Sequence, residues 1–363
     1  MTIPSETVHV AVIGAGLAGV ACARGLRQAG AQVALFEKTS QVGGRMTMRR
    51  ATTTEERGAL ESATVVDHGA QCFAPVRPRF RSLMADAIAA GAAREWQPRV
   101  HSSRHAQVAP CLVPTPRNSA LCAHLLADTP VLVDRPVRRL QRAVDGAWHV
   151  ATEGAPLAGP FQHVALAIPP AQAALLVAGH KDAWADALMA KRMEPRWTLI
   201  AVTDDLDLPW DAAEPDRGPL AWVLRNDRVP GRPSPRGMAV WTAQATAQWS
   251  AAHLESDPQA VRGELQSALR SQLPCAIDGQ RPVHWHYVDV HRWRNAGPAF
   301  DCDDSFDRDE MWWDASLGLG VCGDFLGGGG VEGAWHSGDE LADAMAASFE
   351  SHTEASDAAW ALT

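Results

Sequence analysis

Residues 8–37 read VHVAVIGAGLAGVACARGLRQAGAQVALFE, and their order decides the fold. An apolar β-like run (Val8, Val10, Val12, Ile13) leads into Gly14-Ala15-Gly16-Leu17-Ala18-Gly19. An alanine-rich helical segment follows, and a second strand closes at Glu37. In such a strand-turn-helix Gly14 permits the tight turn, Gly16 lets backbone approach a pyrophosphate, and Gly19 lets the helix pack on the strand. The helix N-terminus offers N–H groups and the positive end of its dipole to phosphates. Glu37, 23 residues after Gly14, stands where a ribose-binding acid is expected. A bare GxGxxG also describes a tight turn without a ligand; strand, helix and acid together predict dinucleotide binding. An acid at this position favours a free 2′-hydroxyl, as in NAD or the adenosine half of FAD, and the turn does not choose between them.

Outward from this unit, 363 residues suffice for two domains or one elaborated α/β domain, and 46% hydrophobic with 21% charged residues describes a globule with a sizeable core. A net charge of -9 argues against a general nucleic-acid binder and an anionic-membrane anchor. No apolar run reaches transmembrane length and the first seven residues lack a signal-peptide pattern, so a cytoplasmic location is expected and no membrane partner. Seven scattered cysteines without CxxC spacing predict free thiols. Only three lysines occur (Lys38, Lys181, Lys191), which limits any lysine-dependent chemistry to those positions. Fourteen tryptophans beside one tyrosine supply core residues and flat faces for a planar ligand.

Behind Glu37 and Lys38 comes Gly43-Gly44-Arg45-Met46, an opened backbone followed by a fork of donors, which suits a second clamp on the same pyrophosphate. Residues 51–63 read as a polar excursion. Val65 to Asp67 form a short strand leading into His68-Gly69-Ala70-Gln71, where small residues admit a flat ring and Gln71 offers a donor and an acceptor. Further strands are expected at 131–133, 137–140, 148–150, 164–168, 196–202, 219–224, 238–242 and 283–290. A strong helix is expected at 257–272, with Asp257 as N-cap and Pro258 in its first turn. His284 and His286 share a strand face with His291 nearby, but no carboxylate or cysteine stands at ligand spacing, so no metal is expected. The chain closes with Cys322-Gly323-Asp324, glycines at 327–330, and Val331-Glu332-Gly333-Ala334 opening a final helix to about Glu350.

Four separated stretches, Gly14 to Gly19 with Glu37, Gly43 to Met46, Asp67 to Phe73, and Cys322 to Asp324 through Ala334, together resemble the FAD-binding flavoproteins of the amine oxidase superfamily. Within it the sequence is more similar to renalase and its bacterial relatives, on the GGRMT run, Asp-x-Gly-Ala-Gln, Trp293-Arg294, and Trp241 to Glu255. The resemblance implies an α/β fold with a Rossmann-type, glutathione-reductase-like FAD domain and an inserted mixed sheet-plus-helix substrate domain. The expected partition is 1–74, 117–172 and 285–350 for FAD, 75–116 and 173–284 for substrate, and 351–363 as a flexible tail. It further implies non-covalent FAD. Ala15, Gly16, Leu17 and Ala18 would meet the pyrophosphate, Glu37 the adenosine ribose, Arg45 a phosphate and Val137 the adenine edge. Gly69, Ala70 and Gln71 would lie beside the isoalloxazine, Asp324 at the ribitol end, and Val331 to Ala334 at the pyrimidine side.

Many amine oxidases of this superfamily hold a lysine near flavin N5, on a strand that resembles Arg196 to Val202 here, and this strand has none. The expected activity is therefore a flavin oxidase taking hydride from the 2- or 6-dihydro isomers of NAD(P)H, with dioxygen as acceptor. The alternatives are an amine oxidase or polyene desaturase, and an FAD-bearing binding or sensor protein without turnover. No catalytic side chain is assigned beyond Gln71 as a candidate; Trp197, Trp222, Trp241, Trp293 and Arg294 are the candidates for the substrate pocket.

Overall fold

The computed structural model describes residues 7–51, 64–102, 109–127, 129–273, 282–299 and 309–360. The excursion at 52–63 lies outside them, as do Cys275 and Cys302. The chain forms two compact units, one from residues 1–44, 122–192 and 298–363, the other from 45–121 and 193–297.

The first unit is built on a six-stranded sheet. Its central strands, Leu319–Val321, His163–Leu166, His9–Ile13, Gln32–Phe36 and Val131–Leu132, run parallel in that order, and Trp312–Asp314 adds an antiparallel edge. Parallel strands covered on both faces must be apolar along their length, and Val10, Val12, Leu35, Val164, Leu166 and Val321 are all fully buried. Helix Leu17–Gln28 crosses from the first strand to the second. The terminal helix Gly330–Trp360 packs against it where a Cβ on Gly338 would stand 2.0 Å from the Ala18 oxygen. This helix runs past Glu350, where the sequence reading ended it; residues 361–363 lie outside the description. A three-stranded antiparallel sheet, Val137–Arg142, Trp148–Thr152 and Ala158–Phe161, completes the unit with helices Pro170–Val177 and Asp182–Ala190.

The second unit carries a mixed six-stranded sheet in the order Trp285–Pro298, Met193–Asp204, Met238–Ala245, Leu220–Arg225, Ala212–Ala213, Val100–His101. Side chains alternate across it. Trp197, Leu199, Ala201, Trp241, Ala243 and Ala245 enter one core with Val261, Leu265 and Leu269 of helix Pro258–Ser271. Ile200, Val202 and Val240 face the other way, against Ala51 and Val66. Pro258 opens that helix as expected, but the Asp257 side chain makes no capping bond.

The packing divides the chain at Gly44, whereas the expected cofactor domain ran to 74. The hairpin of Met48–Ala51 with Thr64–Asp67 is the reason, because its apolar residues complete the second unit's core. Residues 173–192 likewise pack with the first unit, where Lys181 pairs with Asp314.

Candidate functional site

In the first unit the two glycine motifs meet. Gly14, at φ +102°, donates its N–H to the Phe36 oxygen at 2.8 Å, and a Cβ there would lie 2.5 Å from the Ala167 oxygen. A Cβ on Gly19 would stand 1.8 Å from the Gly14 oxygen, so helix and strand approach as closely as the turn reading requires. Gly43 donates to the Ala15 oxygen at 2.8 Å, and a Cβ on Gly44 would press on the Gly16 Cα at 3.2 Å. Gly16 differs from the others: a Cβ there would meet no protein atom within 4 Å. Protein packing therefore does not demand glycine at 16, whereas close approach of a ligand to the backbone would.

Glu37 is buried and closes this turn. Its Oε2 accepts from Ala15 N at 3.0 Å, and its Oε1 accepts from Thr39 N at 2.9 Å and Thr39 Oγ1 at 2.8 Å. The Ala15 N–H, expected at a pyrophosphate, is thus given to Glu37; the carboxylate keeps lone pairs for a hydroxyl donor. Gly16 begins the helix without a side-chain cap, so no N-cap side chain takes the first-turn N–H groups near Leu17 and Ala18. Lys38 is exposed. Val137 opens the three-stranded sheet opposite Thr152.

The end of the chain returns to this unit as a second helix start. Gly328, Gly329 and Gly330 all have positive φ, a path that side chains resist, and deliver Val331, Glu332, Gly333 and Ala334 as the first turn of the terminal helix. Asp324 is buried just before it. Ser337, unnoticed in the sequence, accepts the Gly323 N–H through Oγ at 2.9 Å.

In the second unit the segment Asp67 to Gln71 is held at every carbonyl through Ala70. Asp67 O accepts from Thr242 Oγ1 at 3.1 Å, and His68 O from Trp293 Nε1 at 3.1 Å. Gly69 O accepts from Gln244 Nε2 at 2.7 Å and from Gln71 Nε2 at 3.3 Å, and Ala70 O from Asn118 Nδ2. Ala70 N donates to Arg45 O at 2.9 Å, and the Arg45 guanidinium reaches Ala296 O at 3.1 Å. Met46, beside it, is buried. Gly69 is obligatory, since a Cβ would stand 1.9 Å from Arg45 O. Beneath the segment Arg232 donates to Asp67 Oδ2 at 2.7 Å, to Asn118 Oδ1 at 2.8 Å and to Pro114 O. Burial pushes the Asp67 carboxyl upward against the pull of Arg232, and pushes the Arg232 guanidinium down.

Four buried polar atoms at this place find no partner among the described residues: His68 Nδ1, Gln71 Oε1, Thr198 Oγ1 and Trp222 Nε1. Thr198 and Trp222 are the two cross-strand partners of Gln244, so the row Thr198-Gln244-Trp222 shares the face that holds Gly69. Trp222 packs on the same apolar cluster as Cys72. Buried groups left without partners are costly, and water or a bound ligand would satisfy them.

The expected pocket residues separate. Trp222 lies beside Gln244 with its Nε1 orphaned, and Trp293 lies with Cζ2 3.3 Å from a Cβ built on Gly69. Trp197 and Trp241 are corrected: they are 1% and 0% exposed on the helix-facing side of the sheet. Their indole N–H groups are consumed by His253 O and Thr203 Oγ1. Arg294 is also corrected; it makes an exposed two-pronged pair with Glu255 at 2.5 and 3.0 Å. Strand parity in Met238–Ala245 would have sent Trp241 inward and Thr242 and Gln244 outward; Asn118 and Arg232 had no local signal.

Within the segment, the His68 ring stacks on Trp293 (centroids 4.9 Å) and meets His291 edge-on at 4.7 Å. Burial is the main cause that lowers His68 to about 3 and His291 to about 4, with the Arg49 charge acting in the same sense. Arg49 Nη1 lies 3.3 Å from His291 Nδ1, which suits a neutral acceptor ring.

A family profile described as NAD(P)-binding Rossmann-like domain matches residues 12–87. Flavin-containing monooxygenase FMO GS-OX-like 5 of Arabidopsis thaliana is 58% identical over 41 residues, 11% of this chain and 9% of that protein. The chain thus matches under a tenth of that relative's length. Cyclohexylamine oxidase from Brevibacterium oxydans IH-35A superposes with a TM-score of 0.66 at 12% identity, covering 95% of this chain and 100% of that one. Putrescine oxidase bound to putrescine gives 0.62 at 13% identity, with 95% and 100% coverage. The chain therefore has a Rossmann-like α/β fold like that of these oxidases.

Proposed function

We propose that the chain is an FAD-dependent oxidoreductase that passes electrons to dioxygen, and that its substrate is the 2- or 6-dihydro isomer of NAD(P)H. The observation that carries the cofactor reading is Gly16, a turn glycine that no protein contact requires, set among glycines that packing does require. The uncapped helix start behind it, the buried Glu37 and the helix start at Val331 to Ala334 support the same reading.

Bound FAD would supply a hydride acceptor and then return the electrons to dioxygen as hydrogen peroxide. Backbone N–H groups near Gly16, Leu17 and Ala18 would bind the pyrophosphate, Glu37 the ribose, Arg45 a phosphate and Val137 the adenine edge. Asp324 would bind the ribitol end. A helix start at Val331 to Ala334 would favour negative charge on the pyrimidine side of the ring. Gly69, Ala70 and Gln71, of which Gly69 and Ala70 are held by Gln244 and Asn118, would form the wall against which flat rings lie.

The substrate reading rests on the chemistry of the orphaned atoms. Gln71 Oε1, Thr198 Oγ1 and Trp222 Nε1 are neutral, His68 is held neutral by burial that lowers it to about 3, and residues 45–121 and 193–297 contain no lysine. A dihydronicotinamide needs no base, because hydride leaves from carbon and the product ring is aromatic; with one proton and dioxygen it gives NAD(P)+ and hydrogen peroxide. The second reading, an amine oxidase, is favoured by the fold likeness to two oxidases named for amines. Anaerobic mixing of the FAD-loaded protein with 2-dihydro-NAD, 6-dihydro-NAD, NADH and a panel of amines, followed by flavin absorbance, separates them. Bleaching by a dihydro isomer alone supports the first reading; bleaching by an amine alone supports the second; no bleaching by any reductant removes both.

A further inference from the structure

Asp204, at the end of strand Met193–Asp204, reaches the two histidines that the sequence placed on one strand face. The expectation of no metal there rested on the lack of a carboxylate nearby in sequence. The adjacent strand supplies one, held in register by Asp204 N donating to His284 O at 3.3 Å.

We propose that Asp204, His284 and His286 form a binding site for a divalent transition metal, with zinc as the ion the donor set fits. Asp204 Oδ1 lies 2.7 Å from His286 Nε2 and 3.9 Å from His284 Nδ1, and the two ring nitrogens are 3.4 Å apart. A tetrahedral ion with bonds of about 2.0–2.1 Å sets its ligand atoms about 3.3–3.4 Å from one another. The three separations bracket that edge, so small side-chain rotations bring all three atoms onto one ion. The two rings meet edge-on at 81°, with centroids 4.5 Å apart. Without an ion the triangle is poorly served: a neutral His286 Nε2 carries one hydrogen at most, yet faces both a carboxylate and a second imidazole.

Two imidazoles and one carboxylate select zinc and its borderline neighbours over calcium or magnesium, which take oxygen ligands. Three protein ligands leave the fourth position to water. His284 and Asp204 are 67% and 58% exposed, so the ion can enter from solvent and substitutions there leave the cores untouched. The ion would join the last residue of one strand to the start of its neighbour, fastening that sheet edge.

The test is titration of the full-length protein with Co2+ as an optical probe, followed by displacement with Zn2+. The expected result is one equivalent of tetrahedral cobalt absorption, bleached by zinc, with a higher Tm in zinc by mass action. His286→Ala abolishes the absorption, and Asp204→Asn weakens binding at least about tenfold, the lower end of losses known even for outer-shell partners. Glu340→Gln, in a separate cluster with His336 and Glu310, leaves it unchanged. Circular dichroism of each variant confirms the fold. No saturable one-equivalent binding, persistence in His286→Ala, or loss in Glu340→Gln would overturn the site.

Discussion

Gln244 donates through Nε2 to the main-chain oxygen of Gly69 at 2.7 Å, and its cross-strand partners are Thr198 and Trp222, each with an orphaned polar atom. One side chain thus ties the sheet to the turn that is proposed to face the flavin. Gln244→Leu should lower stability by roughly 1 kcal/mol, because Gln71 Nε2 still reaches the same oxygen. The loosened wall should cost about tenfold in kcat/KM, near 1.4 kcal/mol of barrier. Urea melts and steady-state kinetics measure the two, and a large stability loss with unchanged kinetics would make Gln244 merely structural.

The glycines of the turn should answer differently. Gly14→Ala and Gly19→Ala place a Cβ 2.5 and 1.8 Å from backbone oxygens and should destabilise the whole first unit. Gly16→Ala meets no protein atom, so the apo protein should melt within about 0.5 kcal/mol of wild type, as for substitutions away from packed features. FAD binding by the same variant should fall, as read by flavin retained after desalting.

Arg232 donates to Asp67, Asn118, Pro114 and Pro230 from a buried site. Arg232→Met should cost about 3–5 kcal/mol, because it strands the Asp67 charge. Arg232→Lys should not rescue it, since one ammonium cannot reproduce a planar fork across those acceptors. Chemical denaturation of the three proteins at pH 7 measures this, and full rescue by lysine would contradict it.

His68 and His291 make stability depend on acid. Their folded pKa values of about 3 and about 4 lie below the unfolded value, so the unfolded chain takes up protons first as pH falls. Stability is then full well above pH 6.5 and declines as pH falls through it, the slope approaching about 1.4 kcal/mol per pH unit per histidine between the unfolded and folded pKa values. Between pH 6.5 and 5 the pair should remove about 3 kcal/mol, and His68→Gln should flatten the slope by about half. Urea midpoints at the two pH values, for wild type and variant, provide the check.

The glycine turn was legible because its constraints are local: positive φ at Gly14 and the contact of Gly19 with Gly14 span one turn. The parallel strands were legible from unbroken apolar runs such as Val164 to Ile168. Trp197 and Trp241 could not be told from Trp222 and Trp293 in the sequence, because tryptophan suits both a core and a pocket and only strand parity across the sheet separates them. Asp204 escaped notice because it meets His286 across 82 positions, through strand pairing. Arg232 and Asn118 lie 165 and 51 positions from Asp67, beyond the reach of any local pattern.

The most direct test of the account is the FAD content of the purified protein beside Gly16→Ala, by visible absorption and release of flavin on denaturation. The account predicts one FAD per wild-type chain, released intact and therefore non-covalent, with a marked loss in the folded variant. A wild-type protein that stays colourless in excess FAD, or a Gly16→Ala protein that holds it equally well, would contradict the reading of residues 8–37.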